Sequence, residues 1–168
     1  MKKQLQDKFN QLKSLGKKHQ QRGYEFEKFI FDLLEYENLS PSPSYRYRGE
    51  QIDGFFEFEN RFFLLEAKWW REPVSVSDIY VFRAKIEGRL SGTLGVFISM
   101  AGYTVEVPTV LRYGKEINVI LFNKKDMEFA LADNCSFGTV LKTKLRRAAQ
   151  HGDVYYPFGT HLILTQAR

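Results

Sequence analysis

The chain predicts a single α/β domain with a mixed central β-sheet flanked by helices, and three observations carry that expectation. Two alternating runs, Ile52–Phe58 and Phe62–Trp69, meet across the polar break Glu59-Asn60, the pattern of a β-hairpin. Two short apolar runs follow, Thr93–Met100 and Ile117–Phe122, as buried strands do. Stretches with helical spacing precede, separate and follow these runs. A hairpin followed by strand–helix alternation gives a sheet with both antiparallel and parallel pairs.

At 168 residues, one core is expected, burying about 70% of the unfolded surface without staples. The lone Cys135 excludes an intramolecular disulfide and points to a reducing compartment. No apolar run is long enough to cross a bilayer and the N-terminus lacks a secretory apolar region, so a soluble cytoplasmic protein with no membrane partner is expected. Three segments are expected: a basic helical arm over residues 1–22, the main domain over 23–150 and a C-terminal extension over 151–168.

The arm carries most of the charge. Lys2, Lys3, Lys8, Lys13, Lys17, Lys18 and Arg22 against Asp7 give it +6, and the whole chain sums to +5. Leu5, Phe9 and Leu12 share one helical face. Such an arm suits a phosphate backbone, through Lys17, Lys18 and Arg22, or a helix packed on the body, and its composition also fits, less well, a membrane-surface helix or a targeting segment. Next, Phe26, Phe29, Ile30, Leu33 and Leu34 predict a helix over Tyr24–Tyr36, with Glu27 on the margin of its buried stripe. Ser40-Pro41-Ser42-Pro43-Ser44 cannot continue it and reads as a loop into a short strand at Tyr45–Arg48.

After the hairpin, Ser77 is the expected N-cap of a helix reaching about Leu90, with Ile79, Phe82 and Ile86 inward and Arg83, Lys85 and Arg89 elsewhere. Arg83 and Lys85 are candidate phosphate contacts or part of a solvated face. Trp69 and Trp70 either pack the core or stack on a displaced base. A short helix is expected from Pro108, another over Lys125–Asp133 and a third over Phe137–Gln150. Lys142, Lys144, Arg146 and Arg147 form a second basic cluster on the last, and Leu162–Thr165 reads as a closing strand.

The hairpin carries the chemistry. With Glu59-Asn60 as a two-residue loop, Phe58 pairs with Arg61, and counting back sets Asp53 opposite Glu66. Side chains alternate, so Glu66 and Lys68 share one face and Leu65, Ala67 and Trp69 the other. Two facing carboxylates and one lysine leave negative charge unmet. Either the face is solvated or it holds a hard divalent cation such as Mg²⁺. His19, His151 and His161 lack zinc spacing, and no glycine-rich nucleotide loop is present.

Ile52-Asp53-Gly54 followed at hairpin distance by Leu64-Leu65-Glu66-Ala67-Lys68 resembles the active-site signature of the PD-(D/E)xK, restriction-endonuclease-like, nuclease superfamily. Gly23-Tyr24-Glu25-Phe26-Glu27 resembles the first-helix motif of its Mrr-type branch, in which a glycine precedes a helix carrying Phe-Glu. The likeness covers roughly Arg22 to Leu131. It departs at Glu66, where the branch usually has glutamine, and at Gly49-Glu50-Gln51, where it has an acidic glycine-rich turn.

The resemblance implies a restriction-endonuclease-like core and a metal-dependent endonuclease acting on DNA in a restriction or defence role, RNA remaining open. Asp53, Glu66, Glu27 and the Ala67 carbonyl would hold Mg²⁺, for which Mn²⁺ may substitute, and Lys68 would act with it. Ser99–Thr104 resembles a loop near the substrate groove, which makes Tyr103 a candidate nucleic-acid contact. Cutting both strands needs two sites, so a homodimer or larger assembly is expected. Two rivals stay open: an inactive nucleic-acid-binding module of this fold, and a scaffold or interaction domain.

Overall fold

The computed structural model describes residues 1–16, 19–113 and 116–159. Its core is a four-stranded sheet in the order β3-β4-β5-β6, formed by Gly54–Phe58, Arg61–Lys68, Leu94–Ser99 and Val119–Asn123. β3 and β4 pair antiparallel, whereas β4–β5 and β5–β6 are parallel, so the sheet is mixed as expected. Glu59 and Asn60 have φ of 47° and 60°, the two positive values that a type I′ hairpin turn requires. That turn sets Phe58 against Arg61 and Gly54 against Leu65. Phe56 and Phe63 stack across the pair with centroids 4.9 Å apart, which holds the register from the core side.

The expected strand from Ile52 to Phe58 is broken. Tyr45–Tyr47 (β1) and Glu50–Ile52 (β2) form a separate two-stranded ribbon, with Tyr45 opposite Ile52. Asp53 therefore stands between two strands with different partners. Ile52 joins the core of Leu64 whereas Phe56 joins that of Phe63 and Leu65, so the inward face changes sides at Asp53, a switch that the alternating sequence does not display. Ser42, in the proline-rich loop, bridges to Phe55 on the outer edge of β3.

The sheet separates two cores. Phe63, Leu65 and Ala67 face helices α1 (Lys2–Ser14), α2 (His19–Tyr36), α5 (Lys124–Ala130) and α6 (Phe137–His151). Leu64 faces the other core, built on α3 (Val76–Glu87) and α4 (Val107–Arg112). The α3 helix lies close on β5: a Cβ at Gly95 would come within 2.3 Å of Ile86 and 2.6 Å of Phe82, so only glycine admits the helix there. The α3 cap is Ser75, two residues before the expected Ser77, because Asp78 reaches back to close a capping box with Ser75. Pro108 lies in the first turn of α4, as expected.

The basic arm is part of the body. Leu5, Phe9 and Leu12 are buried, and Lys2, Lys8 and Lys13 bond to Ala132 and Cys135 carbonyls, Asp32 and Glu128 respectively. Those three cations are spent on the fold. Lys17, Lys18 and the expected strand at Leu162–Thr165 lie outside the described residues. The second basic cluster is also dispersed. Lys144 is wholly buried, 2.8 Å from Asp126, and donates to the carbonyls of Leu121 and Tyr156. Arg147 lies over the Tyr156 ring, and Lys142 pairs with Glu59 at the surface. Among the described residues, no helix is long and apolar enough to cross a membrane.

The Lys144–Asp126 pair gives a direct test of the packing. Lys144→Met keeps the volume but leaves Asp126 buried without its partner, so unfolding in urea should lose about 3–5 kcal/mol. Lys142→Ala, at an exposed pair, should stay within about 0.5 kcal/mol of the wild type. Equal midpoints for the two variants would contradict a buried ion pair.

Candidate active site

Asp53 and Glu66 are 6% and 7% exposed, and both lie at the end of the sheet where β2 gives way to β3. A buried carboxylate needs donors, and each has found some. The Ala67 N–H donates to Asp53 Oδ2 at 3.0 Å. Lys68 Nζ lies 2.7 Å from Glu66 Oε1 and 3.4 Å from Asp53 Oδ2, bridging the two. From α3, Lys85 Nζ donates to Glu66 Oε2 at 2.9 Å and to the Gln51 carbonyl at 2.8 Å. Glu66 is thus held at both oxygens, while Asp53 Oδ1 has no hydrogen bond among the described residues.

The direction of the Ala67 carbonyl follows from the ladder. The Met100 N–H donates to the Lys68 carbonyl, so Lys68 points its backbone groups toward the β5 side. Successive residues of a strand turn these groups to opposite edges, which directs both the N–H and the C=O of Ala67 toward Asp53.

Glu27 reaches the same end of the sheet from α2, in the opposite layer. Burial first, then the Asp53 and Glu66 charges, raise its pKa from 4.5 to about 7, against the pull of Lys68. Asp53 is raised as well, by burial and by Glu66, although Lys68, Ala67 and Lys85 oppose the shift. Burial alone would lower the Lys68 pKa, but Asp53 and Glu66 outweigh it and hold the ammonium charged. By formal count three carboxyl groups, Glu27, Asp53 and Glu66, face two lysines, Lys68 and Lys85.

That excess sets the terms for a metal. The donors are all oxygen, which suits a hard divalent cation, and added positive charge relieves the shifts on Glu27 and Asp53. Among the described residues no three Asp, Glu, His or Cys side chains stand in metal-ligand geometry. The ammonium of Lys68 is the closer partner of Glu66 Oε1, so a cation that takes this oxygen displaces it. In donor chemistry the residues fit.

The remaining candidates separate from the site. Arg22 is 9% exposed, donates to the Gly16 carbonyl and lies over the Trp69 ring. Arg83 is 3% exposed, pairs with Glu87 and donates to the Glu116 carbonyl. The outward face expected for Arg83 and Lys85 is thereby corrected, since both point inward. Tyr103 directs its hydroxyl at the carbonyls of Phe97 and Phe122, and burial raises its pKa well above the ordinary tyrosine value. Arg22, Arg83 and Tyr103 brace the fold, whereas Lys85 belongs to the site through Glu66. The role of Lys85 escaped the pattern reading, although its spacing held a signal: it follows Phe82 by three positions and precedes Ile86, on the buried stripe of α3.

Residues 19–129 match the Mrr_cat family of restriction endonucleases. The chain belongs to this family. Membership supports nuclease chemistry, and with the mixed sheet and flanking helices it agrees with the expected restriction-endonuclease-like core. No curated protein matches the chain. Among solved structures it is similar to AF1548, a protein of unknown function, at 13% identity and a TM-score of 0.48, covering 70% of this chain and 64% of that one. It is also similar to a repair endonuclease from Pyrococcus abyssi, at 12% identity and a TM-score of 0.47, covering 58% of this chain and 44% of that one. A third is the MspJI restriction endonuclease in complex with a 27-mer oligonucleotide, at 15% identity and a TM-score of 0.43, covering 91% and 38%. The chain thus spans less than two thirds of the length of each.

The raised Glu27 pKa has a sign that can be checked. A carboxyl with a higher pKa folded than unfolded stabilises fully below about pH 4.5, and that contribution is lost as pH rises through about 7. Glu27→Gln keeps the neutral form throughout. In EDTA its Tm should equal that of the wild type near pH 4.5 and exceed it above pH 7. A constant difference across that window would show that Glu27 is not shifted.

Proposed function

We propose that this chain is a metal-dependent nuclease that hydrolyses phosphodiester bonds of DNA, with Asp53, Glu66 and Lys68 as catalytic residues and Glu27 in support. One observation carries the reading: Asp53 and Glu66 are buried and bridged by Lys68, with Glu27 beside them so that three carboxyl groups face two lysines, inside a domain of the restriction endonuclease family. Asp53, Glu66, Glu27 and the Ala67 carbonyl would hold Mg²⁺ or Mn²⁺, with Lys68 giving up Glu66 Oε1. Bound there, the ion supplies Lewis acidity toward a phosphoryl oxygen and lowers the pKa of a coordinated water.

The protein residues do the rest. Lys68 serves to orient the attacking water or to donate a hydrogen bond to the phosphoryl oxygens as charge builds on them. Lys85 keeps Glu66 Oε2 and the end of β2 in place, so the carboxylate does not rotate when Lys68 leaves. Hydrolysis forms one bond from the water oxygen to phosphorus and breaks one ester bond, whose oxygen takes up a proton. A role in restriction or defence and a cytoplasmic location belong to the same proposal, as does a homodimer or larger assembly wherever both strands of a duplex are cut.

A second reading has a specific observation behind it. Both oxygens of Glu66 are held by lysines, and a permanent hold would make the chain an inactive nucleic-acid-binding module.

The deciding assay is cleavage of plasmid and single-stranded DNA with Mg²⁺, Mn²⁺ or EDTA. Cutting should require the metal, and Asp53→Ala, Glu66→Ala and Lys68→Ala should each lower the rate by about 100-fold or more. Titration calorimetry with Mn²⁺ should show affinity lost in Asp53→Ala. An inert wild type with no Mn²⁺ affinity would favour the binding module, and active mutants would place the chemistry on other residues.

A further inference from the structure

We propose that the groove between the first half of α2 and the turn at 70–72 seats unpaired nucleobases of the strand being cut, beside the scissile phosphate. The proposal rests on the nuclease reading and names its substrate class, single-stranded or locally unpaired DNA.

The groove holds about 700 Å³, within the ~300–1,000 Å³ of clefts that enclose small organic ligands. Tyr24 and Trp70 line it and are 66% and 45% exposed. The neighbouring Trp69 is already used, its ring 5.0 Å from Phe26 and 5.8 Å from Phe9, with the Arg22 guanidinium over it. Trp70 has no ring partner among the described residues, only the Lys68 ammonium 5.6 Å from its centroid. An aromatic face left open next to the catalytic lysine is a stacking platform, and stacking accepts any base.

Gly23 supplies an independent argument. Gly23 lies inside α2, lining the groove. A Cβ there would meet nothing within 4 Å, and no left-handed backbone requires a glycine. Inside a helix, glycine costs stability relative to alanine. Among the described residues no close contact calls for a glycine there, and a flat ligand lying on the helix would.

Charge decides between bases and phosphates. The formally charged lining is Arg71 against Glu27 and Glu72, with no net positive charge to draw a phosphate backbone. The amides of Gln20 and Gln51 supply donors and acceptors suited to base edges. Continuity ties the groove to the site: Tyr24 and Glu27 line both it and an adjoining cleft that reaches Asp53.

The test uses the full chain in EDTA, where nothing is cut, with a labelled oligothymidylate of about twelve nucleotides and a duplex of the same length. Fluorescence anisotropy should show the single strand bound more tightly than the duplex. Trp70→Ala should weaken single-strand binding about tenfold or more. Gly23→Ala should weaken it too while raising Tm, which no loss of folding would produce. Either variant binding like the wild type, or a preference for duplex, would overturn the proposal. So would a dimer in sedimentation that Trp70→Ala abolishes without altering DNA affinity, since a second copy would then fill the groove.

The two readings fail separately. Groove variants that leave single-strand binding and cutting unchanged, while Asp53→Ala abolishes cutting, sink this proposal and leave the nuclease. Intact single-strand binding, sensitive to Trp70, by a protein inert with every metal does the reverse.

Discussion

Asp53 and Glu66 are buried beside one another, and the end of the sheet is built around the cost of keeping them there. Removing a charge from water costs several kcal/mol after relaxation, recovered only where geometry and hydrogen bonds are good. The recovery here draws on four segments. The type I′ turn at Glu59-Asn60 sets the register that brings Ala67 N–H to Asp53. The β4 strand supplies Lys68, two residues after Glu66 and on the same face. The α3 helix supplies Lys85 and gets close enough because Gly95 has no side chain. The β1–β2 ribbon ends at Ile52, where the Gln51 carbonyl takes another of the Lys85 protons.

This arrangement shows why the hairpin was legible and its surroundings were not. Alternation and a two-residue break are local properties, and they put Phe58 opposite Arg61 with no knowledge of the rest. They also put Asp53 and Glu66 at the same level. Which strand holds Ile52 is a question of partners, which periodicity does not encode. Arg83, Lys85 and Lys144 mark the same boundary. An amphipathic reading sends lysine and arginine to water, yet each of these is buried because a distant carboxylate or carbonyl meets it. The arm followed suit: its apolar stripe was readable, but the partners of Lys2, Lys8 and Lys13 lie between 24 and 133 residues away.

The α3 cap is a smaller instance. Ser75 and Ser77 both precede the apolar stripe, and the choice falls to Ser75 because Asp78 is the N3 residue that returns its bond. A capping box read as a pair of residues, rather than as a lone serine, identifies the start. In Asn123 and Asp126 the same pair opens α5 one residue before the expected Lys125.

Features that weaken a fold are informative where they gather. Most of this chain is locally consistent: stacked phenylalanines across the hairpin, capped helices, and a buried lysine matched to a buried aspartate. The exceptions lie together. Glu27 and Asp53 are carboxyls pushed toward their protonated forms, Gly23 sits inside a helix that has room for a side chain, and Trp70 presents a ring to solvent. Glu27 lines the groove of Gly23 and Trp70 and also adjoins Asp53. Random wear would scatter such costs over the surface. Their meeting at one end of one sheet is what is expected of a fold that gives up stability at the place where ligands bind.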